Sequence, residues 1–438
     1  MMRADGHDPR ATQAYNPSIV ALPPALRTQL DCTRCAFAAT VRVDWMTQCD
    51  GVSSPLRLRL KHADVSTLGR RKVTLFMLLD EQLAPLRWGW LQAGANHQAA
   101  AARSLWSSVA LNAAMKAVDV RLFLFEGQLW ASASFPKRGY NSAVAAVNIQ
   151  LPQETSDRGR QPLEGVDRLV VWVDEREWLK LRQPRARGRS QAFFGRSSAL
   201  TRPESESGCQ KCPSLIFQSW LLPNVVFGVT TAPSELSQPC AAGAGCVPLS
   251  AQARRPMRAR LLHESVGPRE AAVRLAAVGG CTEAANTSTR PLKGAASRCR
   301  LSINGVLVYI DEWQQLLGVG HLHRGYRDLL DGRRLPRNLT YFAHHYTHFF
   351  YTIEPQPPYA VRMLGSEFCF GAARQADGGP TTRMDCEIIQ YVSGLTRVGE
   401  RLLVSYGVND CQPKVFDLKL RDVRADLRPF PHPLSRPR

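Results

Sequence analysis

The sequence predicts an all-β fold made of repeated sheets. Residues 41–45 alternate apolar and polar side chains, and residues 73–79 form an apolar run of strand length. Residues 121–132 have the pattern of a hairpin that turns at Glu126 and Gly127. The chain carries neither a phosphate-binding glycine loop after a strand nor a regular alternation of strands and helices. The pattern therefore disfavours a nucleotide-binding α/β fold.

Strand-like segments continue to the C-terminal third of the chain. Residues 301–309 have strand character, and the pair Asn304 and Gly305 within them is typical of a tight turn. Residues 341–354, 359–364, 388–395, 401–406 and 414–420 then follow as successive strands with short connections. This regular spacing is typical of the blades of a propeller.

The length and composition predict one globular domain with irregular additions. The chain has 438 residues, of which 44% are hydrophobic and 21% charged, which is ordinary for a folded protein. We predict a flexible N-terminus at residues 1–14, a folded domain at 15–420, and a basic, proline-rich tail at 421–438. Insertions near residues 185–212 and 232–298 lack steady periodicity, so we expect them to be partly disordered.

The strong positive charge of the chain raises the possibility of a nucleic-acid partner. The formal net charge is +19, and the basic residues are densest at 182–196, at 254–260 and after residue 421. These runs adjoin proline, serine and alanine rather than interleaved aromatic residues, so solvated loops explain them better than a nucleic-acid surface. No run approaches the roughly 18 apolar residues of a membrane span, and we predict none.

The cysteines leave two interpretations open. Among the twelve, Cys32 with Cys35 and Cys209 with Cys212 have the spacing of zinc ligands or of local disulfides. We predict no metal and no cofactor, because the pairs lie far apart and lack the usual zinc-ribbon context. Sequons at Asn286 and Asn338 favour the secretory-pathway lumen over the cytoplasm, although residues 1–8 lack the apolar core of a secretory signal.

Several motifs carry a resemblance to a known group of propellers. Residues 389–395 end in Gly394 and Leu395, and residues 402–411 contain Tyr406, Gly407 and an acidic turn. This pair of strands resembles the final blade of the five-bladed propellers of β-mannoside phosphorylases, related glycosidases, and propeller segments fused to glycosyltransferases. Residues 318–324, 344–351 and 366–369 resemble the preceding blade, residues 15–19 the opening strand, and residues 119–123 an Asp-Pro-Arg strand start, with Val120 in place of the proline.

The resemblance implies a five-bladed β-propeller that handles carbohydrate at its central channel. Glycoside hydrolysis uses two carboxylates, and phosphorolysis replaces the nucleophile with inorganic phosphate, which needs basic residues. The candidate catalytic residues are Asp119, Glu387 and Asp410. The candidate substrate-binding residues are Asn16, Arg121, His321, His323, Arg324, His348, Gln390, Tyr406 and Asn409.

Each candidate also has a structural interpretation. Asp119 at a strand start and Asp410 after Asn409 are natural turn residues, and the histidines could be ordinary core or rim residues.

Two functional hypotheses therefore remain open. The chain either cleaves or transfers a glycosyl unit, or it is a non-catalytic glycan-recognition module associated with a glycosyltransferase. A basic scaffold for nucleic acid ranks last.

Overall fold

The structure of the chain is a computed structural model. The residues that the structure describes are 13–44, 72–93, 118–125, 127–134, 142–150, 167–173, 179–181, 192–195, 215–220, 224–230, 258–265, 299–325, 344–356, 359–370, 390–408 and 412–430.

Strands dominate the described residues. In chain order the elements are β1 (Gln13–Ala21), α1 (Pro24–Gln29), β2 (Phe37–Asp44), β3 (Lys72–Leu79), β4 (Pro85–Ala93), β5 (Val118–Phe125), β6 (Gln128–Ser134), β7 (Ser142–Ala146), β8 (Asn148–Gln150), β9 (Asp167–Arg168), β10 (Val170–Val173), β11 (Leu179–Leu181), β12 (Ala192–Gly195), β13 (Leu215–Trp220), β14 (Asn224–Thr230), β15 (Arg258–Ser265), β16 (Cys299–Ile310), a 3-10 turn (Asp311–Trp313), β17 (Gln315–Gly325), β18 (His344–Ile353), β19 (Val361–Leu364), β20 (Gln390–Val398), β21 (Arg401–Val408), β22 (Gln412–Lys419), α2 (Leu420–Asp426) and β23 (Arg428–Pro429). The predicted all-β class is confirmed.

The strands form four sheets of seven, four, nine and three strands. The first has the order β1-β2-β3-β4-β10-β8, with β9 paired to β4, and the second has the order β11-β7-β6-β5. The third has the order β15-β14-β13-β12-β16-β17-β18-β19-β23, and the fourth is β20-β21-β22. Most neighbouring strands are antiparallel, and some of them, such as β3 with β4 and β20 with β21, are hairpins with short connections.

The sheets are arranged as a propeller. The first strands of successive antiparallel units, namely β1, β5, β12, β16 and β20, lie against one another at the centre of the molecule. The N-terminal strand β1 also contacts all three strands of the C-terminal sheet, which closes the ring. The propeller fold agrees with the sequence prediction.

The predicted number of blades is wrong, because the structure has four blades rather than five. The physical reason is the pairing of two central strands. β12 and β16 run parallel and pair at Phe193 and Val306, which joins a unit of four strands, β12 to β15, to a unit of five strands, β16 to β19 with β23, in the single nine-stranded sheet.

The hydrophobic core lies between neighbouring sheets. Successive side chains of a strand point to opposite faces, so a sheet between two others needs apolar residues at every position. In β3, Leu75 and Met77 pack in one cluster with Trp88 and Trp90, whereas Phe76 and Leu78 pack in a second cluster on the other face. The apolar run at residues 73–79 is therefore buried on both faces.

Hydroxyl side chains join β1 and β2 to β5, the strand of the second sheet that lies at the centre of the propeller. The backbone N–H of Leu122 donates to Ser18 Oγ at 3.0 Å, and Thr40 Oγ1 donates to the carbonyl of Val120 at 2.8 Å. These bonds satisfy backbone groups of β5, which lies at the edge of its sheet. They fix the position of β5 relative to the first sheet.

Two glycines let β1 approach the C-terminal sheet closely. A Cβ atom at Gly394 would lie 2.8 Å from the backbone nitrogen of Ile19, and one at Gly407 would lie 2.7 Å from that of Asn16. Neither distance is compatible with a side chain. Ser393 Oγ donates to the carbonyl of Pro17 at 2.6 Å across the same contact.

Parts of the segments predicted as irregular form regular structure. β12 lies within the first predicted insertion, and β15 lies within the second. The stretch predicted as a tail begins with α2 and β23, and Val423, Leu427 and Phe430 are buried there. The remaining residues of both insertions, residues 1–12 and residues 431–438 lie outside the described residues.

Cys32 and Cys35 form a disulfide, which is one of the two interpretations that the sequence left open for this pair. Both cysteines lie in the turn between α1 and β2, and Cys35 is fully buried. Cys369 is also disulfide-bonded, whereas Cys209 and Cys212 lie outside the described residues. Within the described part of the chain, we find no helix with the length and apolar character needed to span a membrane.

The close approach of β1 to the C-terminal sheet predicts the effect of Gly394→Ala. The added Cβ would overlap the backbone of β1, so we expect the free energy of unfolding to fall by about 1–3 kcal/mol. Gly399→Asn is the matched control, because Gly399 has a φ of 57° and no atom near its missing side chain, and asparagine tolerates that conformation. Chemical denaturation of both variants checks this, and equal stability of the two would contradict the proposed closure.

Candidate functional site

The site contains two residues whose backbones adopt left-handed conformations. Asn16 has a φ of 50° and Asp119 a φ of 52°. Each lies at a bulge of a central strand, because the register shifts between Tyr15 and Ser18 in β1 and between Val118 and Arg121 in β5. Asparagine and aspartate adopt this conformation more readily than other non-glycine residues. Such outliers, recurring at equivalent places, are typical of functional sites.

The bulges bring Asn16 and Asp119 into contact with Arg42. Asn16 Nδ2 donates to Asp119 Oδ1 at 3.1 Å, and Arg42 Nη1 donates to the same oxygen at 2.9 Å. The Arg42 guanidinium also lies 4.8 Å from the ring centroid of Tyr15. The side chain of Asp119 retains 24% of its exposure and that of Arg42 retains 12%, so the carboxylate is the more accessible partner.

The surroundings of Asp119 favour its ionised form. Burial alone would raise the pKa of this carboxyl group. The charges of Arg42 and Arg121, together with hydrogen bonds from Asn16 and Arg42, outweigh burial and hold the pKa below its ordinary value of 3.8. Asp119 is therefore a carboxylate at neutral pH, which can accept hydrogen bonds or stabilise positive charge but has no proton to donate.

Arg121 interacts with the carboxylate of Asp119 through its charge and with Tyr391 through a hydrogen bond. Its side chain is buried, and its Nη2 donates a hydrogen bond to the hydroxyl oxygen of Tyr391. Arg121 and Tyr391 come from β5 and β20, the central strands of two different sheets. A buried arginine needs such partners, because an isolated charge is costly to desolvate.

Three rings form the aromatic side of the site. His321 lies edge-to-face with Tyr346 at 5.4 Å and with Tyr391 at 5.8 Å, and the two tyrosine rings are 6.2 Å apart. His321 Nδ1 is hydrogen-bonded to Asn304 Oδ1. Both tyrosines are partly exposed, whereas His321 and Asn304 are buried.

These side chains form one connected group, to which all four sheets contribute. We call it the central cluster, and its members are Asn16, Arg42, Asp119, Arg121, Asn304, His321, Tyr346 and Tyr391. It combines a carboxylate, two guanidinium groups, two amides, an imidazole and two partly exposed aromatic rings. This combination suits a ligand with both hydroxyl groups and apolar patches.

Three of the predicted binding residues lie in a different environment, around Phe370. Gln390 is fully buried, where its Oε1 accepts from the N–H of Phe370 at 2.8 Å and its Nε2 donates to the carbonyl of the same residue. The ring of Tyr406 stacks on Phe370 at 4.0 Å, and the ring of His348 lies 5.7 Å from it. These contacts account for the burial of all three side chains by packing.

The structure brings together only some of the predicted site residues. Asn16, Asp119, Arg121 and His321 belong to the central cluster. His323 and Arg324 also lie in β17, but only the backbone of these two residues is described. Glu387, Asn409 and Asp410 lie outside the described residues, so their predicted roles stay predictions.

Four members of the central cluster were not among the predicted site residues. Arg42 lies between two buried valines in β2, and a charged residue within such a strand is the signal that could have identified it. Tyr346 and Tyr391 lie within the motifs that carry the family resemblance, but nothing in their spacing shows that they meet. Asn304 was interpreted only as part of a turn.

No group of three or more potential metal ligands is found in the described ranges. The predicted absence of a metal remains a prediction for the rest of the chain.

Comparison with known proteins gives structural similarity without sequence similarity. No protein-family model matches the chain. No curated protein matches it significantly in sequence.

Several solved structures resemble the chain at 9–10% identity. A glycosyl hydrolase from Bacteroides ovatus is 10% identical with a TM-score of 0.41, over 96% of this chain and 87% of the other. A β-1,2-mannobiose phosphorylase from Listeria innocua is 10% identical with a TM-score of 0.41, over 94% and 91%. An endo-arabinase from Bacteroides thetaiotaomicron is 9% identical with a TM-score of 0.33, over 94% and 95%. Similarity at this level does not assign an activity, so function is argued from the central cluster itself.

The ionised state of Asp119 predicts how Asp119→Asn responds to pH. The variant removes the charge that Arg42 and Arg121 face, so we expect it to be less stable at pH 7 by about 1.5–3 kcal/mol. Because the folded pKa lies below the ordinary value, the stability difference is full above about pH 5 and decreases as the pH falls through the folded pKa. Denaturant unfolding of both proteins between pH 7 and pH 3 measures it.

Asp417→Asn is the control for this measurement, because Asp417 pairs with Arg401 at the surface and both side chains are largely exposed. We expect a much smaller effect of the control at every pH. A difference for Asp119→Asn that does not change between pH 7 and pH 3 would show that Asp119 is not a buried, arginine-stabilised carboxylate.

Proposed function

We propose that the chain is a carbohydrate-active protein that binds a glycan at the central cluster. The observation that carries this proposal is the carboxylate of Asp119, which is fixed by Arg42 and Asn16 and faces the partly exposed rings of Tyr346 and Tyr391 across Arg121. A sugar has hydroxyl groups around its rim and apolar C–H patches on its faces. Charged and amide groups beside exposed tyrosines complement both features.

The position of the site supports the same function. The members of the central cluster on β1, β2, β5 and β20 come from strands that hydroxyl bridges or close glycine contacts hold in place. A site built on rigid strands needs little rearrangement when a ligand binds, so less free energy is lost on ordering. The resemblance of residues 15–19 and 119–123 to carbohydrate-processing propellers falls on three members of this site, Asn16, Asp119 and Arg121.

The two hypotheses that the sequence left open give Asp119 different roles. An ionised carboxylate can stabilise the positive charge that develops during glycosyl transfer, but a second group must donate the proton to the leaving oxygen. Glu387 and Asp410 remain the candidates for that group. Without such a donor, the central cluster acts as a recognition site for glycans, which is the second candidate function.

The test begins with a glycan-array screen of the purified full-length chain. Each glycan that binds is then incubated with the protein, with and without inorganic phosphate, while released sugar is measured. We expect wild-type binding, and we expect Asp119→Asn to weaken it at least about tenfold, which corresponds to the loss of one charged hydrogen bond. Asp417→Asn serves again as the control and should bind as the wild type does.

The outcomes separate the possibilities. Release of sugar that Asp119→Asn abolishes supports an enzyme, and a requirement for phosphate identifies phosphorolysis. Binding without release supports a recognition module. Wild-type protein that binds no glycan, or a variant that binds as tightly as the wild type, contradicts the proposal.

A further inference from the structure

The two left-handed residues of the central cluster, Asn16 and Asp119, lie in bulges of the same construction. In β1, Asn16 and Pro17 together stand opposite a single residue of β2, and in β5, Asp119 and Val120 stand opposite a single residue of β6. In both bulges the first of the two residues has the positive φ. A bulge interrupts the pairing of its own strand and redirects the side chain there, so both bulges need support from neighbouring strands.

That support comes from buried hydroxyl groups. Thr40 Oγ1 of β2 donates to the carbonyl of Val120 at 2.8 Å, and Ser393 Oγ of β20 donates to the carbonyl of Pro17 at 2.6 Å. Thr40 and Ser393 are each only 1% exposed. In both bulges a hydroxyl group therefore satisfies the carbonyl of the residue that follows the left-handed one.

A second hydrogen bond fixes the direction of β5. Ser18 is the cross-strand partner of Thr40 in the pairing of β1 with β2, and its Oγ accepts from the backbone N–H of Leu122 at 3.0 Å. Thr40 and Ser18 therefore bind the backbone of β5 at two points that are two residues apart. Two such bonds fix how far β5 is shifted along β2 as well as the distance between the two strands.

The position of β5 along β2 decides whether Asp119 reaches its partners. Arg42 lies two residues after Thr40 on the same face of β2, and its Nη1 is 2.9 Å from Asp119 Oδ1. Asn16 lies in the bulge of β1, with its Nδ2 3.1 Å from the same oxygen. A strand shifted by one residue presents its side chains to the opposite face, which would take the carboxylate away from both donors.

We propose that Thr40 is a positioning residue of the glycan site, whose hydroxyl group holds the bulge of β5 where the carboxylate of Asp119 meets its two donors. Ser18 supports the same position through its bond to Leu122. This inference rests on the proposed glycan-binding function. Thr40 acts through Asp119 and touches no ligand itself, so a residue outside the central cluster determines where the carboxylate is placed.

The ionisation of Asp119 reports its position without any glycan. Valine has nearly the shape of threonine, so Thr40→Val removes the bond to the bulge and keeps the side-chain volume. We expect this variant to raise the pKa of the Asp119 carboxyl group, because the carboxylate would move away from Arg42 and Asn16 while burial still favours the neutral form. Carbon-13 NMR of the full chain with labelled aspartate carboxyl groups measures the pKa, and Asp119→Asn assigns the signal by its disappearance.

Two further variants of threonine show whether the hydroxyl group is responsible. Thr40→Ser keeps the hydroxyl group and should keep the pKa of Asp119 at the wild-type value. Thr352→Val is the matched control, since Thr352 is also buried but its hydroxyl group has no hydrogen-bond partner among the described residues. It should leave the pKa of Asp119 unchanged.

A Thr40→Val protein that is less stable but keeps the wild-type pKa at Asp119 shows a purely structural role for Thr40 and overturns the proposal. If Thr40→Val does not fold, Ser18→Ala removes the second bond to β5 and allows the same measurement. We expect Ser18→Ala to raise the pKa of Asp119 as well, and an unchanged pKa overturns the proposal.

Affinity for the best-binding glycan of the array tests the connection to the site. We expect Thr40→Val to weaken binding about tenfold, the value of one hydrogen bond, and the double variant with Asp119→Asn to bind no more weakly than Asp119→Asn alone. Effects that add in the double variant would contradict action through Asp119. A raised pKa in Thr40→Val together with a wild type that binds no glycan overturns the proposed function but leaves the positioning of Asp119 by Thr40 intact.

Discussion

The close packing of β1 against the C-terminal sheet is the contact on which the rest of the structure depends. It closes the ring, because β1 begins the described chain and β20 to β22 lie near its other end. The backbones approach so closely that glycine is required at Gly394 and Gly407. Contacts between segments this distant in sequence lose much chain entropy on formation, so they form only when the sheets between them are folded. Because Asn16 lies against Gly407 in this contact, the same packing positions Asn16 in the site.

The central cluster combines features that cost stability with a frame that supports them. Left-handed conformations at Asn16 and Asp119 and a buried Arg121 are each unfavourable in isolation. Neighbouring strands compensate for these costs through the ion pair of Arg42 with Asp119 and the bond from Arg121 to Tyr391. Residues that remain fixed in position despite such costs are what a preorganised binding site requires.

Patterns of apolar residues predicted most of the strands. Burial on one face leaves an alternation of apolar and polar side chains, and burial on both faces leaves an apolar run such as residues 73–79. The resemblance predicted the propeller and four members of the site, among them Asn16 and Asp119. The bulges escaped prediction, since no residue pattern along a strand marks where its register with the next strand shifts; Asn304, for example, lies at an irregular pairing within β16 and not in a turn. The parallel pairing of β12 with β16 likewise has no local signal, and it changed the number of blades.

Hydrogen–deuterium exchange with and without the best-binding glycan tests the central claim most directly, because it locates the ligand on the whole chain. The account predicts slower exchange in the peptides that contain β5 and β20, which carry Asp119, Arg121 and Tyr391, and little change in α2 and β23 at the periphery. Protection confined to segments outside the central strands would contradict the assignment of the site to the central cluster.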